Sequence, residues 1–383
     1  MDFELTNEQK DVQKAAREFA EGTFPEVAEE CDINETFPRK LWKKACELGF
    51  IGVFIDEPYG GAGLGFLDNA LIAEEFCRMD GGCGCSIMLT TLGSEFILLF
   101  GREEQKKKYL PGLTRGEAIM GMGITEPDAG SDVSSVATVA KRIGNHYVIN
   151  GNKIFITNGN IADFLVVFCV TNEDEKNKSK RHSAIIVETN RKGFEASKLK
   201  RKMGIRASET AELSFADVEV PLENLIGEVE GNGFEQLMGV FNRTRITTSA
   251  QAIGIAQGVL EKAIAYAKQR KQFGRSIGTF QGIQFKLAEM ATFVEAARGL
   301  YYKAGWMVDH GKIDPKLISM AKWFAGEVAV KVTDEALQVH GGYGYLGEYG
   351  IERSYRDAKL MEIVEGTKEI EKVIIARELI GRI

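Results

Sequence analysis

The chain has neither an excess of positive charge nor a long uninterrupted apolar run. Its formal net charge is -7 and its isoelectric point is about 5.5, which argues against nucleic acid as the main partner. No apolar run reaches the length of about 18 residues that a membrane-crossing helix needs, so we expect no transmembrane segment. The N-terminal stretch "MDFELTNEQK" is acidic and polar. We therefore expect neither a secretory signal nor an Arg-rich transit peptide, and predict a cytoplasmic protein.

The chain also lacks the residue spacings of a metal site and of a hydrolase. Six cysteines are present, but only Cys83 and Cys85 are close together, and no histidine lies near them. A structural zinc site needs four ligands at characteristic spacing, so we expect no metal and free thiols. The four histidines are scattered, and neither a G-x-S-x-G motif nor a Ser-His-Asp order occurs. Hydrolase chemistry therefore has little support.

What is present is a regular alternation of structure types over a chain of 383 residues, long enough for more than one domain. Residues 1–120 have helical periodicity, which begins at a capping-box pattern, Thr6 to Gln9. Residues 121–226 contain short β-rich runs, which predict a compact antiparallel β domain. Within it, Asn150-Gly151 predicts a hairpin turn.

The helical period returns over residues 227–383, where three long helical segments and a terminal one predict a four-helix bundle. The order is α, then β, then α, so we predict the α+β class with three domains and not a doubly wound sheet. Gly342 to Gly347 match G-x-G-x-x-G, but a helical pattern precedes them. That motif binds a dinucleotide only between a strand and a helix, so we reject it here.

Each of four short stretches can be interpreted as purely structural, and two of them can also be interpreted as functional. "GITEPDAGSD" is either a plain loop entering the sheet or a loop that offers amides and hydroxyls to an anion or a polar ring edge. "KIFITNG" reads as a strand ending in a turn. "KQRKQFGR" reads as basic residues that complement a helix dipole. In "MEIVEGTKEI", Glu365 is either a solvated turn residue or a catalytic base.

These stretches occur together in an order that resembles the acyl-CoA dehydrogenase family from end to end. The closest resemblance is to the short- and medium-chain, butyryl-CoA dehydrogenase-like members. It is carried by "GITEPDAGSD", "KIFITNG", "RKQFGRSIGTFQ", "QVHGGYGY" and "RDAKLMEIVEGT". It implies FAD as cofactor, an acyl-CoA thioester as substrate, electron-transferring flavoprotein as electron acceptor, and a homotetramer built as a dimer of dimers.

The resemblance also implies cofactor contacts. "GITEPDAGSD" would meet the pyrimidine edge and the pyrophosphate of the flavin, and "KIFITNG" would pack against the isoalloxazine, with the Thr157 hydroxyl near N5. The basic loop and "QVHGG" would reach the flavin of a neighbouring subunit. The implied cofactor-binding residues are Met122, Ile124, Thr125, Ser131, Phe155, Ile156, Thr157, Arg270, Gln272, Phe273, Gln281, Gln338, Gly341, Gly342, Thr367 and Glu369.

For the substrate, the resemblance makes Glu365 the base that removes the α proton, and burial beside an acyl chain should raise its pKa. Some members place the base directly before the equivalent of Arg245; here that residue is Thr244, which cannot act as a base. A close backbone approach to the ligand would explain Gly366. The implied substrate-binding residues are Ser131, Asn242, Arg245, Val364, Gly366 and Thr91.

The acyl group is the least determined feature. Relatives usually have Tyr where this chain has Val364, so we predict room for a branched, alicyclic or aryl-substituted group, with a short straight chain as the alternative. No Lys or Arg lies between Arg78 and Arg102, so a dicarboxylic substrate is less expected, whereas Thr90 and Thr91 could bind a polar substituent. An acyl-CoA oxidase and a non-catalytic flavin- or CoA-binding scaffold remain as further alternatives.

Overall fold

A computed structural model describes residues 4–381. The chain starts as the capping box predicts: the Thr6 hydroxyl accepts the Gln9 N–H at 3.1 Å, and the Gln9 side chain accepts the Thr6 N–H at 3.1 Å. The N-terminal third is helical, as expected. Its helices are α1 (Asn7–Thr23), α2 (Ala28–Asn34), α3 (Arg39–Glu47), α4 (Phe66–Met79), α5 (Gly81–Met88), α6 (Ser94–Phe100) and α7 (Glu103–Thr114).

The middle of the chain forms one seven-stranded sheet. Its order is β1-β4-β2-β3-β7-β6, with β5 paired to β4. Four of the six pairings are antiparallel, as predicted, while β4 runs parallel to its neighbours β1 and β2. The strands are β1 (Met120–Gly123), β2 (Val139–Ile143), β3 (His146–Thr157), β4 (Phe164–Val170), β5 (His182–Glu188), β6 (Phe194–Lys198) and β7 (Thr210–Pro221).

The predicted hairpin at Asn150-Gly151 is wrong. The chain turns earlier, at Gly144 and Asn145, since Ile143 pairs with His146, and Gly144 supplies the positive φ of 59° that such a turn needs. Gly151 lies inside β3 at a register shift against β7. A Cβ at Gly151 would lie 2.5 Å from the Thr138 hydroxyl. This glycine therefore marks a close approach of backbones and not a turn.

The C-terminal part is helical, and its three longest helices, α8, α9 and α10, contact one another, while α12 packs on α10. A two-stranded ribbon, β8 and β9, connects α8 to α9. The elements are α8 (Gly233–Gln269), β8 (Lys271–Gln272), β9 (Arg275–Ser276), α9 (Gln281–Asp309), α10 (Pro315–His340), α11 (Ile351–Ala358) and α12 (Lys368–Ile380).

The two helical parts share one core, because α4 packs along α8 and their apolar faces belong to the same buried cluster. One stretch of the described residues, Gly81–Phe100, is long and apolar enough by composition to cross a membrane, yet 72% of it is buried inside the fold. It consists of α5, a short turn and α6. A core segment of this kind passes the same composition test, so the finding is weak evidence for a membrane span.

Candidate active site

The turn that precedes α12 places Glu365 against α8. The side chain is half-buried, and its carboxylate accepts a hydrogen bond from the Thr244 hydroxyl at 2.6 Å. Burial raises the pKa of Glu365, while the Thr244 hydroxyl and the charges of Arg245 and Lys322 lower it; the net shift is upward. The direction agrees with the expectation for a base in an apolar site. Thr244, rejected as a base, has here the role of a hydrogen-bond donor to the base candidate.

The residues packed against Gly366 leave no room for a side chain at this position. Its φ is 104°, and a Cβ would lie 2.3 Å from a carboxylate oxygen of Glu371 and 3.0 Å from the Arg245 guanidinium. The sequence-based reason for this glycine was a close approach of the backbone to the ligand. The structure adds a different reason, which holds without any ligand: an ion pair occupies the space that a side chain would need.

That ion pair lies directly beneath the turn. Arg245 and Glu371 are 2.9 Å apart, with 5% and 0% of their side chains exposed, and the Arg245 Nε donates to the Glu365 carbonyl at 3.0 Å. Arg245 is therefore occupied within the protein, and its assignment to the pantetheine stays a prediction. Lys322, from α10, is 1% exposed, and its ammonium group donates to the Gly366 carbonyl.

A second carboxyl faces the same region from α6. Glu95 is buried and accepts the Gly93 N–H at 3.1 Å. The pKa of Glu95 is raised to about 7, chiefly by burial and to a smaller extent by the negative charge of Glu365, against the lowering effects of the backbone N–H groups and of Arg243. The sequence argument considered arginines only along this segment and overlooked Arg243, which α8 contributes. Glu95 and Asp309 both act on Arg243 electrostatically, and the guanidinium donates to the Gly239 carbonyl at 2.8 Å, while its Nε has no hydrogen-bond partner among the described residues. Arg243 is therefore a nearby cation that the sequence argument against a dicarboxylic substrate did not count.

Thr90 and Thr91, predicted from the sequence as partners of a polar substituent, differ in their hydrogen bonds. The Thr90 hydroxyl donates to the Ile87 carbonyl at 2.8 Å and accepts the Trp42 indole N–H at 3.1 Å. Its single hydrogen is therefore already donated within the protein, and Thr90 is 1% exposed, so it is not placed to donate to a substrate substituent. Thr91 makes only a long contact of 3.4 Å with the Met88 carbonyl.

The stretches "GITEPDAGSD" and "KIFITNG" lie side by side. The Ile154 N–H donates to the Thr125 carbonyl at 2.9 Å. Lys153 is fully buried and donates to the Ile124 carbonyl and to the Glu126 carboxylate, each at 2.8 Å. Because Glu126 also accepts the Ala137 and Thr138 N–H groups, the loop is fixed to the sheet.

This junction presents an aromatic ring to the surface. Phe155 has a φ of 60°, a conformation that costs a bulky side chain energy, and it is 65% exposed. A register shift between Lys153 and Ile156 accompanies it. Ile156 is 2% exposed and belongs to the sheet core, so its side chain packs inside the protein. Thr157 beside it is half-buried.

A separate cavity of about 430 Å³ lies where α8 and α10 end. Four of the predicted cofactor-binding residues line it together: Arg270, Gln272, Gly341 and Gly342. The Arg270 guanidinium stacks on the Tyr343 ring at 5.1 Å. Of the remaining candidates, Met122 and Ile124 are buried, Thr125, Asn242, Val364 and Thr367 are half-buried, and Ser131, Phe273, Gln281, Gln338 and Glu369 are exposed.

Comparison with known proteins assigns the family. Family models described as the N-terminal, middle and C-terminal domains of acyl-CoA dehydrogenase match residues 6–117, 121–218 and 231–380. A short-chain specific acyl-CoA dehydrogenase of Clostridium acetobutylicum is 45% identical over 99% of this chain and 100% of its own. The chain belongs to the acyl-CoA dehydrogenase family.

Further relatives differ in the reactions for which they are named. A 3-(aryl)acrylate reductase of Clostridium sporogenes is 41% identical over 98% of this chain and 99% of its own. The structure of butyryl-CoA dehydrogenase from Megasphaera elsdenii superposes with a TM-score of 0.95 at 41% identity, over 99% of this chain and 100% of that one. The FAD complex of PigA matches with a TM-score of 0.94 at 32% identity, over 99% of both chains.

Acyl-CoA dehydrogenases are flavin-dependent oxidoreductases, and the cofactor of the family is FAD. The residues of this chain fit such a cofactor. Phe155 is a largely exposed ring held in a strained conformation at the rim of the loop, as a stacking surface for a planar ligand would be. In the cavity at the ends of α8 and α10, Arg270 supplies a planar fork suited to phosphate oxygens. A Cβ at Gly341 or Gly342 would meet no atom within 4 Å, so open space for a ligand lies beside the backbone there.

In this acyl-CoA dehydrogenase, the charged residues that hold the turn at Glu365 and Gly366 are not predicted by the sequence motifs. Lys322 stands in the apolar run "LISMAKWFAG", and a single lysine surrounded by apolar residues could have indicated a buried cation with a specific partner. Glu371 carries no such signal, because acidic residues are common in the first turn of any helix. Its partner Arg245 is known only from the fold.

Proposed function

We propose that this protein catalyses the α,β-dehydrogenation of an acyl-CoA thioester with Glu365 as the catalytic base. The observation that carries the proposal is the environment of that carboxyl. It is half-buried, hydrogen-bonded at 2.6 Å by Thr244, and its pKa is raised by burial. A carboxylate with a raised pKa is a better match to a weakly acidic carbon–hydrogen bond than an ordinary surface glutamate.

In the proposed reaction the Glu365 carboxylate takes the α proton as a hydride leaves the β carbon, so that the α,β single bond becomes a double bond. FAD, when bound, supplies the hydride acceptor. The Glu365 backbone N–H would donate to the thioester oxygen, where negative charge develops. Thr244 and Arg245 hold the carboxylate and the Glu365 carbonyl, respectively, so the base keeps its orientation while the proton moves.

We propose a branched, alicyclic or aryl-substituted acyl group. Val364 is half-buried next to the base, and it is smaller than the Tyr usual in relatives, which leaves space beside the α and β carbons. The name of the 3-(aryl)acrylate reductase, 41% identical, supports the aryl option. The second candidate is a short straight chain such as butyryl-CoA, supported by the short-chain specific relative at 45% identity.

We propose the cofactor-binding residues as the resemblance assigns them, with FAD shared between two subunits. The cavity at Arg270 and Gly341 lies on the surface of the chain, and Phe273 beside it is 92% exposed, which suits a contact with a second copy. A homotetramer follows from two such pairs. Electron-transferring flavoprotein is the proposed electron acceptor, and the cytoplasm the proposed location.

The test is Glu365→Gln, which keeps the shape of the side chain and its hydrogen bond but cannot accept a proton. We expect the purified variant to retain FAD and to lose anaerobic flavin bleaching by acyl-CoA. Glu378→Gln, an exposed change on the same helix α12, is the control and should bleach normally. Near-normal bleaching of Glu365→Gln would overturn the assignment. Slow reoxidation of the reduced wild type by air would distinguish a dehydrogenase from an oxidase.

A further inference from the structure

The turn that carries Glu365 has an unfavourable backbone conformation. Glu365 has a φ of 58°, and Gly366 has a φ of 104°. A residue with a Cβ rarely adopts a positive φ, and such residues persist only where the surrounding structure enforces them. Because glycine relieves the strain at Gly366 alone, other groups must enforce the conformation of Glu365.

Both carbonyl groups of this turn are held by buried cations. The Glu365 carbonyl accepts the Arg245 Nε–H at 3.0 Å, and the Gly366 carbonyl accepts the ammonium group of Lys322. Arg245 comes from α8 and Lys322 from α10, so the two helices grip consecutive peptide units from different directions. Because the 365–366 and 366–367 peptide units are both held through their carbonyls, neither can rotate freely. The backbone that carries the Glu365 side chain therefore keeps one orientation, and the Thr244 hydroxyl holds the carboxylate itself.

Lys322 is a buried lysine, and its burial costs free energy that a structural or functional role must offset. The residue is 1% exposed, and burial lowers its pKa to about 8, against the opposing effect of Glu371. Burying an ammonium group is costly, and a well-packed apolar residue in its place is often neutral or stabilising. Glu371 has a cation partner in Arg245 at 2.9 Å, while the hydrogen bond of Lys322 goes to the Gly366 carbonyl.

We propose that Lys322 is a positioning residue of the dehydrogenation reaction, whose bond to the Gly366 carbonyl aims the Glu365 carboxylate. This inference rests on the proposed role of Glu365 as the base. Lys322 touches neither reacting atom and acts through the turn. The groups that face Glu365 electrostatically are Thr244 and Arg245 from α8, Lys322 from α10, Glu371 from α12 and Glu95 from α6.

The test compares Lys322→Met with wild type by rapid mixing with acyl-CoA without oxygen. We expect the limiting rate of flavin reduction to fall on the order of 10- to 100-fold, as misplaced catalytic groups do, with little change in substrate affinity. The acid limb of the pH profile should also move to higher pH. Lys322 lowers the pKa of Glu365, and its removal takes that effect away. Lys322→Arg keeps the charge and should leave the acid limb in place.

The matched control is Lys372→Met. Lys372 also joins α12 to α10, through Glu327 at 3.4 Å and the Trp323 ring at 4.6 Å, but within residues 4–381 it contacts α10 and not the turn. We expect its reduction rate and pH profile to equal those of wild type. Lys322→Gln is measured if the methionine variant does not fold. Its side chain is shorter by one atom and uncharged, so the reduction rate should fall and the acid limb should move upward as expected for the methionine variant.

The outcomes separate this inference from the proposed function. A Lys322→Met enzyme with the wild-type rate and acid limb would overturn the role of Lys322, while an inactive Glu365→Gln would still support the base. Failure of both the Met and Gln variants to give folded, flavin-containing protein would also overturn it, since Lys322 would then serve the fold. Normal turnover of Glu365→Gln would instead remove the proposed function itself.

Discussion

Replacing Gly366 by alanine tests the crowding beneath the turn. The new Cβ would lie 2.3 Å from a Glu371 carboxylate oxygen and 3.0 Å from the Arg245 guanidinium, closer than such contacts occur. The backbone at this position has a φ of 104°, which any residue with a Cβ adopts at a cost. Either the turn or the buried ion pair must therefore move.

The expected loss of stability combines the cost of the backbone conformation with the cost of displacing the ion pair. Placing an L-residue in a left-handed conformation costs about 1–2 kcal/mol. Disturbing a buried ion pair costs up to about 3–5 kcal/mol when one partner is lost, and a displaced pair should cost part of that. Together we expect Gly366→Ala to lower the free energy of unfolding by about 2–5 kcal/mol. The carboxylate of Glu365 moves with the turn, so flavin reduction should slow on the order of 100-fold.

The assay is urea unfolding followed by tryptophan fluorescence, together with anaerobic flavin reduction by acyl-CoA. Gly299→Ala is the matched control, because Gly299 lies in α9 and a Cβ there meets no atom within 4 Å. That change should stabilise the protein by about 0.5–1 kcal/mol, as alanine in a helix does relative to glycine. A Gly366→Ala protein as stable and as active as wild type would refute the argument that the ion pair determines this glycine.

Two further predictions concern the base and the acyl group. Thr244→Val removes the hydroxyl that lowers the pKa of Glu365; the base then stays protonated to higher pH, so the acid limb of the reduction rate should move upward. Thr248→Val, one turn along α8, removes a hydroxyl that donates to the Thr244 carbonyl and should leave the acid limb unmoved; equal profiles for both variants would contradict the assignment. Val364→Tyr should depress activity on cyclic, branched or aryl acyl-CoA more than on butyryl-CoA, measured on a substrate panel; equal losses would count against the extra space.

Local signals predicted local structure well where nothing else competed for the residues. The capping box at Thr6 depends on atoms within three residues, and the structure contains both of its hydrogen bonds. Asn150-Gly151 shows the limit of the same reasoning. Asn-Gly does favour turns, but at Gly151 the backbone lies close to Thr138, a residue distant in sequence. A preference read from two adjacent residues cannot predict such a contact within the sheet.

The candidate site likewise contains residues that the motifs indicated and residues that they did not. The motifs pointed to Glu365, Phe155 and Arg270 because each stands in a short stretch that resembles the family. They did not reveal Lys322, Glu371 or Arg243, whose partners lie on other helices. A buried charge is recognised by what surrounds it, and its surroundings are distant in sequence.

The helical and β-rich thirds, their order and the family can be read from the sequence alone, because hydrophobic periodicity and short motifs are properties of neighbouring residues. The residues that hold the turn at Glu365 become visible in the folded chain and not before. Arg245, Lys322 and Glu371 come from three different helices and meet beneath one pair of peptide units. Their effect on the Glu365 carboxylate depends on distance and on exclusion from water, and the folded chain sets both.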